Sequence, residues 1–178
     1  AYRSALTKIL NGAITEKTPN QLFSASSDDF WFWLNTEGRT SLKSIIPSMP
    51  EEDVQLAFTG ATGEVVLREG FSAYKLFKRY YEEQIAPIGH CDRILDFGCG
   101  WGRIIRFFLR DTEPSRLWGC DPVGVMINIC KNDNPWCNFV TINTKPPTPF
   151  EDATFELIYS FSVFSHLSED MHKLVLAE

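Results

Sequence analysis

No stretch of this sequence is apolar for long enough to cross a bilayer, and no basic-then-apolar leader with a small-residue cleavage site is visible. A cytoplasmic protein is therefore expected. C-x-x-C pairs are missing, and the 5 cysteines are odd in number: Cys91, Cys99, Cys120, Cys130 and Cys137. Neither a zinc-ligand spacing nor a disulfide framework follows, so no metal site is expected. Several of these cysteines sit in apolar runs and read as small buried hydrophobes. Basic excess is also lacking: 17 Lys and Arg stand against 23 Asp and Glu, for a net charge of −6. General nucleic-acid and membrane-surface binders carry a basic patch, so neither partner is expected. Internal repeats and low-complexity tracts are absent.

What is there is enough to build a core. The chain has 178 residues, 44% of them hydrophobic and 13% aromatic, which suits one domain with an appended segment. Its organising stretch is Ile94-Leu95-Asp96-Phe97-Gly98-Cys99-Gly100-Trp101-Gly102-Arg103. A short apolar run ends in a carboxylate, and glycines then alternate with other residues. Ile104, Ile105, Phe107, Phe108 and Leu109 follow as an apolar face. The pattern predicts a buried strand, a tight turn and the opening of a helix. Alternate glycines let the backbone bend sharply and let a ligand come close to it. In open α/β sheets ligands bind at the carboxyl ends of strands, where this turn falls. A turn of the same spacing with no ligand satisfies the pattern equally well.

The spacing is G-x-G-x-G, not the dinucleotide fingerprint G-x-G-x-x-G. Asp96 at the strand end would repel a pyrophosphate but suits a ligand carrying an ammonium or sulfonium group. Gly60-Ala61-Thr62-Gly63 lacks the Gly-Lys-Ser/Thr ending of a phosphate loop and reads as a turn. Further on, Arg116 to Asp121 reads as a second strand ending in a carboxylate. Such a group accepts hydrogen bonds from both hydroxyls of a ribose. Asp121 also fits a turn or capping role, and nicotinamide enzymes use the same carboxylate. A third strand is predicted over 138–142 and a fourth over 155–160.

These motifs resemble class I S-adenosylmethionine-dependent methyltransferases over about residues 70–178. The resemblance implies that Asp96, Gly98, Cys99 and Gly100 hold the methionine and ribose end of S-adenosylmethionine. It implies Asp121 and Pro122 at the ribose, Asn143 at the adenine, and Ser160 and Phe164 in the cofactor or acceptor pocket. An amide such as Asn143 can both donate to and accept from an adenine edge. Ser160-Phe161-Ser162-Val163-Phe164-Ser165-His166-Leu167 resembles the segment where methyl group and acceptor meet. There His166 is a candidate catalytic base or, equally, a structural cap of the next helix. Glu156 stands where the family typically carries Asp.

The remaining chain reads as follows. A short helix is predicted over Tyr2–Leu10 and a polar loop over 11–27. Phe30-Trp31-Phe32-Trp33-Leu34 is expected to plug into the core or cap the sheet, the alternative being an aromatic wall for a substrate or a partner chain. Pro47 to Phe58 predicts a helix capped by Ser48, with Glu51, Glu52 and Asp53 at its positive end. From Gly70, Phe71, Tyr74, Phe77, Tyr81, Ile85 and Ile88 recur at helical spacing up to Pro87 and Gly89. Tyr74 belongs to that apolar stripe and is also a candidate lid residue. Ser168 is expected to cap a last helix.

The resemblance implies an α/β fold: a Rossmann-like open parallel sheet, partial, in the order 3-2-1-4. An N-terminal helical extension over 1–69 precedes a partial cofactor-binding domain over 70–178. The family's sheet has further strands, so the fourth strand is expected to be a bare apolar edge, dealt with by the N-terminal segment, by a second copy of the chain in a homodimer, or by disorder. The expected activity is methyl transfer from S-adenosylmethionine to a small or medium-sized acceptor, at O or N rather than C. An incomplete domain that binds the cofactor or a partner without turnover is the alternative. A nicotinamide-dependent oxidoreductase is disfavoured by the glycine spacing and by Asp96.

Overall fold

The computed structural model describes residues 2–10, 17–38, 42 and 45–178. The polar stretch at 11–16 lies outside the described residues. Four parallel strands form one sheet in the order β3-β2-β1-β4. They are β1 (Ile94–Phe97), β2 (Leu117–Asp121), β3 (Asn138–Thr141) and β4 (Leu157–Tyr159). Register pairs Asp96 with Gly119 on one side and with Tyr159 on the other. The expected order is thus the observed one. All strand tips point the same way, so the turns after β1, β2 and β4 converge on one edge of the sheet.

Helices cover the sheet. In the N-terminal segment they are α1 (Tyr2–Leu10), α2 (Pro19–Phe23), α3 (Asp28–Asn35) and α4 (Glu52–Thr59). Then come α5 (Gly63–Gln84), α6 (Ile105–Phe108), α7 (Gly124–Asp133) and α8 (Glu169–Ala177). Among the described residues no helix is long and apolar enough to cross a membrane.

Three details differ from the sequence reading, each for a local reason. Helix α2 stands inside the expected polar loop. Its start is fixed by Pro19 in the first turn and by Gln21, whose side-chain oxygen accepts from the Thr18 backbone N–H at 3.2 Å. Helix α4 has Glu51, not Ser48, at its N-cap position, and no side chain makes a capping hydrogen bond there. The Ser48 hydroxyl instead donates to Asp133 at 2.8 Å, tying the segment to the end of α7. Helix α5 begins at Gly63, earlier than its apolar stripe suggests, because Val66 and Leu67 extend the buried face upstream.

The aromatic cluster is core, as expected. Trp31 and Leu34 are fully buried, and the Trp31 indole N–H donates to the Phe107 carbonyl at 3.0 Å. Phe71 packs on Phe107 with ring centroids 5.0 Å apart. Tyr74 also belongs to the core and not to a lid. It is fully buried, its ring meets Phe108 edge-on, and its hydroxyl donates to Asp111 and accepts from Arg110.

Arg106 locks the extension to the sheet. It sits on α6 almost fully buried and donates to the carbonyls of Pro47 and Ser48 and to the Asn35 side chain. Replacing it with leucine strands these acceptors in the interior, at about 1–3 kcal/mol for each unsatisfied group. Arg106→Leu is therefore expected to lower the urea midpoint sharply, or to abolish folding. A loss under about 1 kcal/mol would contradict this role.

Candidate functional site

The turn after β1 is built by a clamp from β2. The N–H groups of Gly98 and Cys99 donate to the Cys120 carbonyl at 2.8 and 3.0 Å. Asp121 closes the next step: one carboxylate oxygen accepts from the Gly100 N–H at 2.9 Å and the other from the Val123 N–H at 2.8 Å. Gly98 and Gly100 hold φ of 77° and 53°, conformations that a side chain resists. The clamp bends the chain so that backbone and carboxylate share one concave surface.

That surface is a cavity of about 650 Å³. Its volume is inside the range of about 300–1,000 Å³ typical of small-molecule sites. Gly98, Cys99, Gly100, Asp121 and Pro122 line it, as does His166. Five sequence-nominated cofactor residues and the candidate base thus meet in one place. A Cβ on Gly100 would find no heavy atom of the described residues within 4 Å, so that wall is open backbone. A buried-edge carboxylate beside open backbone suits an adenosyl group: Asp121 can take ribose hydroxyls while the turn admits the neighbouring chain. The residues present therefore fit S-adenosylmethionine.

The other nominated residues lie elsewhere. Asn143 is exposed past the end of β3 and does not line this cavity. Ser160 and Phe164 border a separate cavity of about 930 Å³ along β4. Ser160 donates to the Phe97 carbonyl at 3.0 Å, pinning the tips of β1 and β4 together. The Phe164 ring stacks on His172 at 5.1 Å. Asp96 faces inward beneath the turn and is 2% exposed. One of its oxygens has no hydrogen-bond partner among the described residues.

Burial pushes the Asp96 carboxyl up to about 7, against the opposing influence of Tyr159 and Arg103. The folded protein therefore holds a proton there that the unfolded chain has released between roughly pH 4 and 7. Stability then falls as pH rises through that window. Asp96→Asn removes the ionisation, and we expect the variant to lack this decline and to gain on the wild type above pH 7. Urea unfolding at pH 5 and pH 8 checks it, and identical pH slopes would contradict it.

Several cavity residues escaped the sequence reading. Arg103, just past the last glycine, pairs with Glu69 of α5 and lies over the Phe161 ring at 5.2 Å. Gly70 explains the meeting. A Cβ there would come within 2.9 Å of the Arg103 carbonyl, so its absence lets α5 press against the turn. Trp101 lines the cavity too, almost wholly buried, and its indole N–H has no partner among the described residues. Ala57, Phe58 and Thr59 close one side from the end of α4. Ser162, next to Phe161, holds φ of 60°, a strained value for a residue with a side chain. Among the described residues no group of His, Cys, Asp and Glu could hold a metal.

Comparison with known proteins assigns the fold. Residues 94–178 match the family model described as a methyltransferase domain. No curated protein matches the chain. Among solved structures, the plantazolicin methyltransferase BpumL in complex with SAH is similar over 84% of this chain and 51% of that one, at 18% identity and a TM-score of 0.50. A TehB-like SAM-dependent methyltransferase from Corynebacterium glutamicum shares 24% identity over 64% of each chain, with a TM-score of 0.45. An S-adenosylmethionine-dependent methyltransferase from Mesorhizobium loti shares 18% identity over 60% of this chain and 46% of that one, also at 0.45. This chain thus spans between 46% and 64% of the length of these three structures.

Proposed function

We propose that this chain, whose residues 94–178 match the family model described as a methyltransferase domain, binds S-adenosylmethionine over the turn after β1 and serves methyl transfer to a small or medium-sized nucleophile. The observation that carries the reading is Asp121. It faces the cavity from the tip of β2 while holding the Gly100 N–H, so ribose recognition and turn geometry share one carboxylate. The bound cofactor supplies a methyl group activated by a cationic sulfur. The protein's own work is to bind, to orient and to exclude water. Gly98 and Gly100 let the ligand lie on the main chain. Asp121 and Pro122 border the ribose, while Asn143, outside the cavity lining, is given no part in this arrangement.

His166 is the candidate base for an O or N acceptor, because it lines the cavity and is exposed within it. We expect His166→Gln to leave cofactor affinity within about twofold while lowering turnover of an O or N acceptor by roughly 10²–10⁴. Equal turnover by wild type and variant would remove the base role.

A second reading is a domain that binds the cofactor without turnover. It draws on the edge strand β4, whose Ile158 is 60% exposed and open to a partner. A second copy pairing along that edge would appear as a concentration-dependent dimer in sedimentation. The cofactor reading is tested by ultraviolet cross-linking of tritium-methyl S-adenosylmethionine. S-adenosylhomocysteine should compete the label away and NADH should not. Competition by NADH alone would overturn it.

A further inference from the structure

Two cysteine thiols meet at the turn after β1, and the ribose clamp does not use them. The Cys130 thiol of α7 donates to the Gly100 carbonyl at 3.2 Å, and the Cys99 thiol donates to the same oxygen at 3.6 Å. The two thiols also lie within hydrogen-bonding contact of each other. Two glycines make room for them. A Cβ on Gly119 would come within 3.0 Å of the Cys99 sulfur, and one on Gly102 within 3.3 Å of the Cys130 sulfur. Cys130 is 1% exposed, whereas Cys99 lines the cavity of about 650 Å³. An oxidant small enough to enter that cavity reaches one sulfur, with the second beside it.

We propose that Cys99 and Cys130 form a reversible disulfide that switches off ligand binding at the glycine turn. The oxidant is a peroxide. The Cys99 thiolate attacks one peroxide oxygen, the O–O bond breaks, and the departing hydroxide takes up the thiol's proton as water. Cys130 then attacks the sulfur of the Cys99 sulfenic acid, the S–O bond breaks, and hydroxide leaves with the Cys130 proton as a second water. Two thiols have lost two electrons and two protons, and one hydrogen peroxide has become two waters. No S–H remains, so the Gly100 carbonyl loses both thiol donors. The sulfurs also close to about 2.05 Å, which draws α7 and the turn together. Asp121 holds the N–H of the same Gly100, so a shift there distorts the surface on which the ligand lies. The switch rests on the cofactor reading above for its effect, though not for its chemistry. It is slow at neutral pH. The hydrogen bond with Cys130, then burial, hold the Cys99 thiol well above its ordinary range, and Asp96 of β1 and Asp121 of β2 act in the same sense. Thiolate is therefore scarce, and oxidation quickens as pH rises.

The test treats the wild type with hydrogen peroxide at about pH 8.5, the ordinary thiol pKa. Peptide mapping then locates the bridge, and calorimetry with S-adenosylhomocysteine reads the site. The expected result is a Cys99–Cys130 link, an affinity at least about tenfold weaker, and recovery with dithiothreitol. S-adenosylhomocysteine present during the treatment should slow the link by covering Cys99. Cys130→Ser keeps a donor for the Gly100 carbonyl but cannot bridge, so peroxide should leave its affinity unchanged; Cys130→Ala serves if the serine variant unfolds. A bridge from Cys130 to Cys137 instead, no bridge at all, or a Cys99–Cys130 bridge with undiminished affinity overturns the switch while the adenosyl site stands. Equal loss of affinity in Cys130→Ser overturns it too. If the reduced wild type binds no S-adenosylhomocysteine, the cofactor reading falls, and a switch with no ligand to gate falls with it.

Discussion

Asp121→Ala is expected to abolish measurable S-adenosylhomocysteine binding while leaving a folded protein. Two effects add. The variant loses the carboxylate that faces the cavity, and it frees the Gly100 and Val123 N–H groups that the carboxylate holds at 2.9 and 2.8 Å. Hydrogen bonds to a charged group are worth about 1.5–3 kcal/mol each, so losing those to a ribose weakens binding by roughly 10²–10⁴-fold. The turn also loosens, so part of the loss comes from a site that is no longer preformed. Asp121→Asn separates the two effects. An amide oxygen can still accept one backbone N–H, but it holds the turn and the ribose less strongly. It should therefore bind between wild type and alanine. An alanine variant with near wild-type affinity would remove Asp121 from the site.

The second large effect is a contrast between neighbouring glycines. Both hold positive φ, which costs an alanine about 1–2 kcal/mol. At Gly98 the added Cβ also collides with the Val163 side chain from the segment after β4. Crowding of this kind costs a further 1–3 kcal/mol or so. At Gly100 the Cβ meets nothing among the described residues, but that space is the cavity wall. Gly98→Ala should therefore destabilise the fold more than Gly100→Ala, by about 1–3 kcal/mol in urea unfolding. Gly100→Ala should keep most stability and still lose affinity, because the methyl occupies ligand space. Equal stabilities for the two variants would contradict the contact with Val163.

The sheet was legible because its signals are local. A short apolar run, a carboxylate and spaced glycines mark β1, its turn and the approach of β2 within about thirty residues, whereas the order 3-2-1-4, which the structure shows, comes from the resemblance to the family and not from these local signals. The stripe through Phe71, Tyr74 and Tyr81 likewise announced α5. Its first turn did not stand out, since Glu64, Val65 and Arg68 are exposed and only Val66 and Leu67 reach the core. Helix α2 could have been read from Thr18-Pro19-Asn20-Gln21, a capping pattern set in polar sequence.

The site was legible only in part, and the division is physical. Residues whose placement follows from the turn itself (Gly98, Gly100, Asp121) gather at the cavity. Those placed by distant packing do not follow from spacing. Arg103 meets Glu69 only because Gly70 lets α5 come close. Phe164 sits in a short 3₁₀ turn, Phe164–His166, that sends its ring to His172 and leaves His166 at the cavity. Asp96 has the right spacing but points inward, where burial raises its pKa, and it does not line the cavity.

The most direct measurement is isothermal calorimetry on one preparation of wild type and Asp121→Ala, with S-adenosylhomocysteine and NADH in turn. Micromolar one-to-one binding of S-adenosylhomocysteine to the wild type, lost in the variant, with no heat from NADH, is the predicted result. Binding of NADH in preference, or S-adenosylhomocysteine binding that survives loss of the carboxylate, would contradict it.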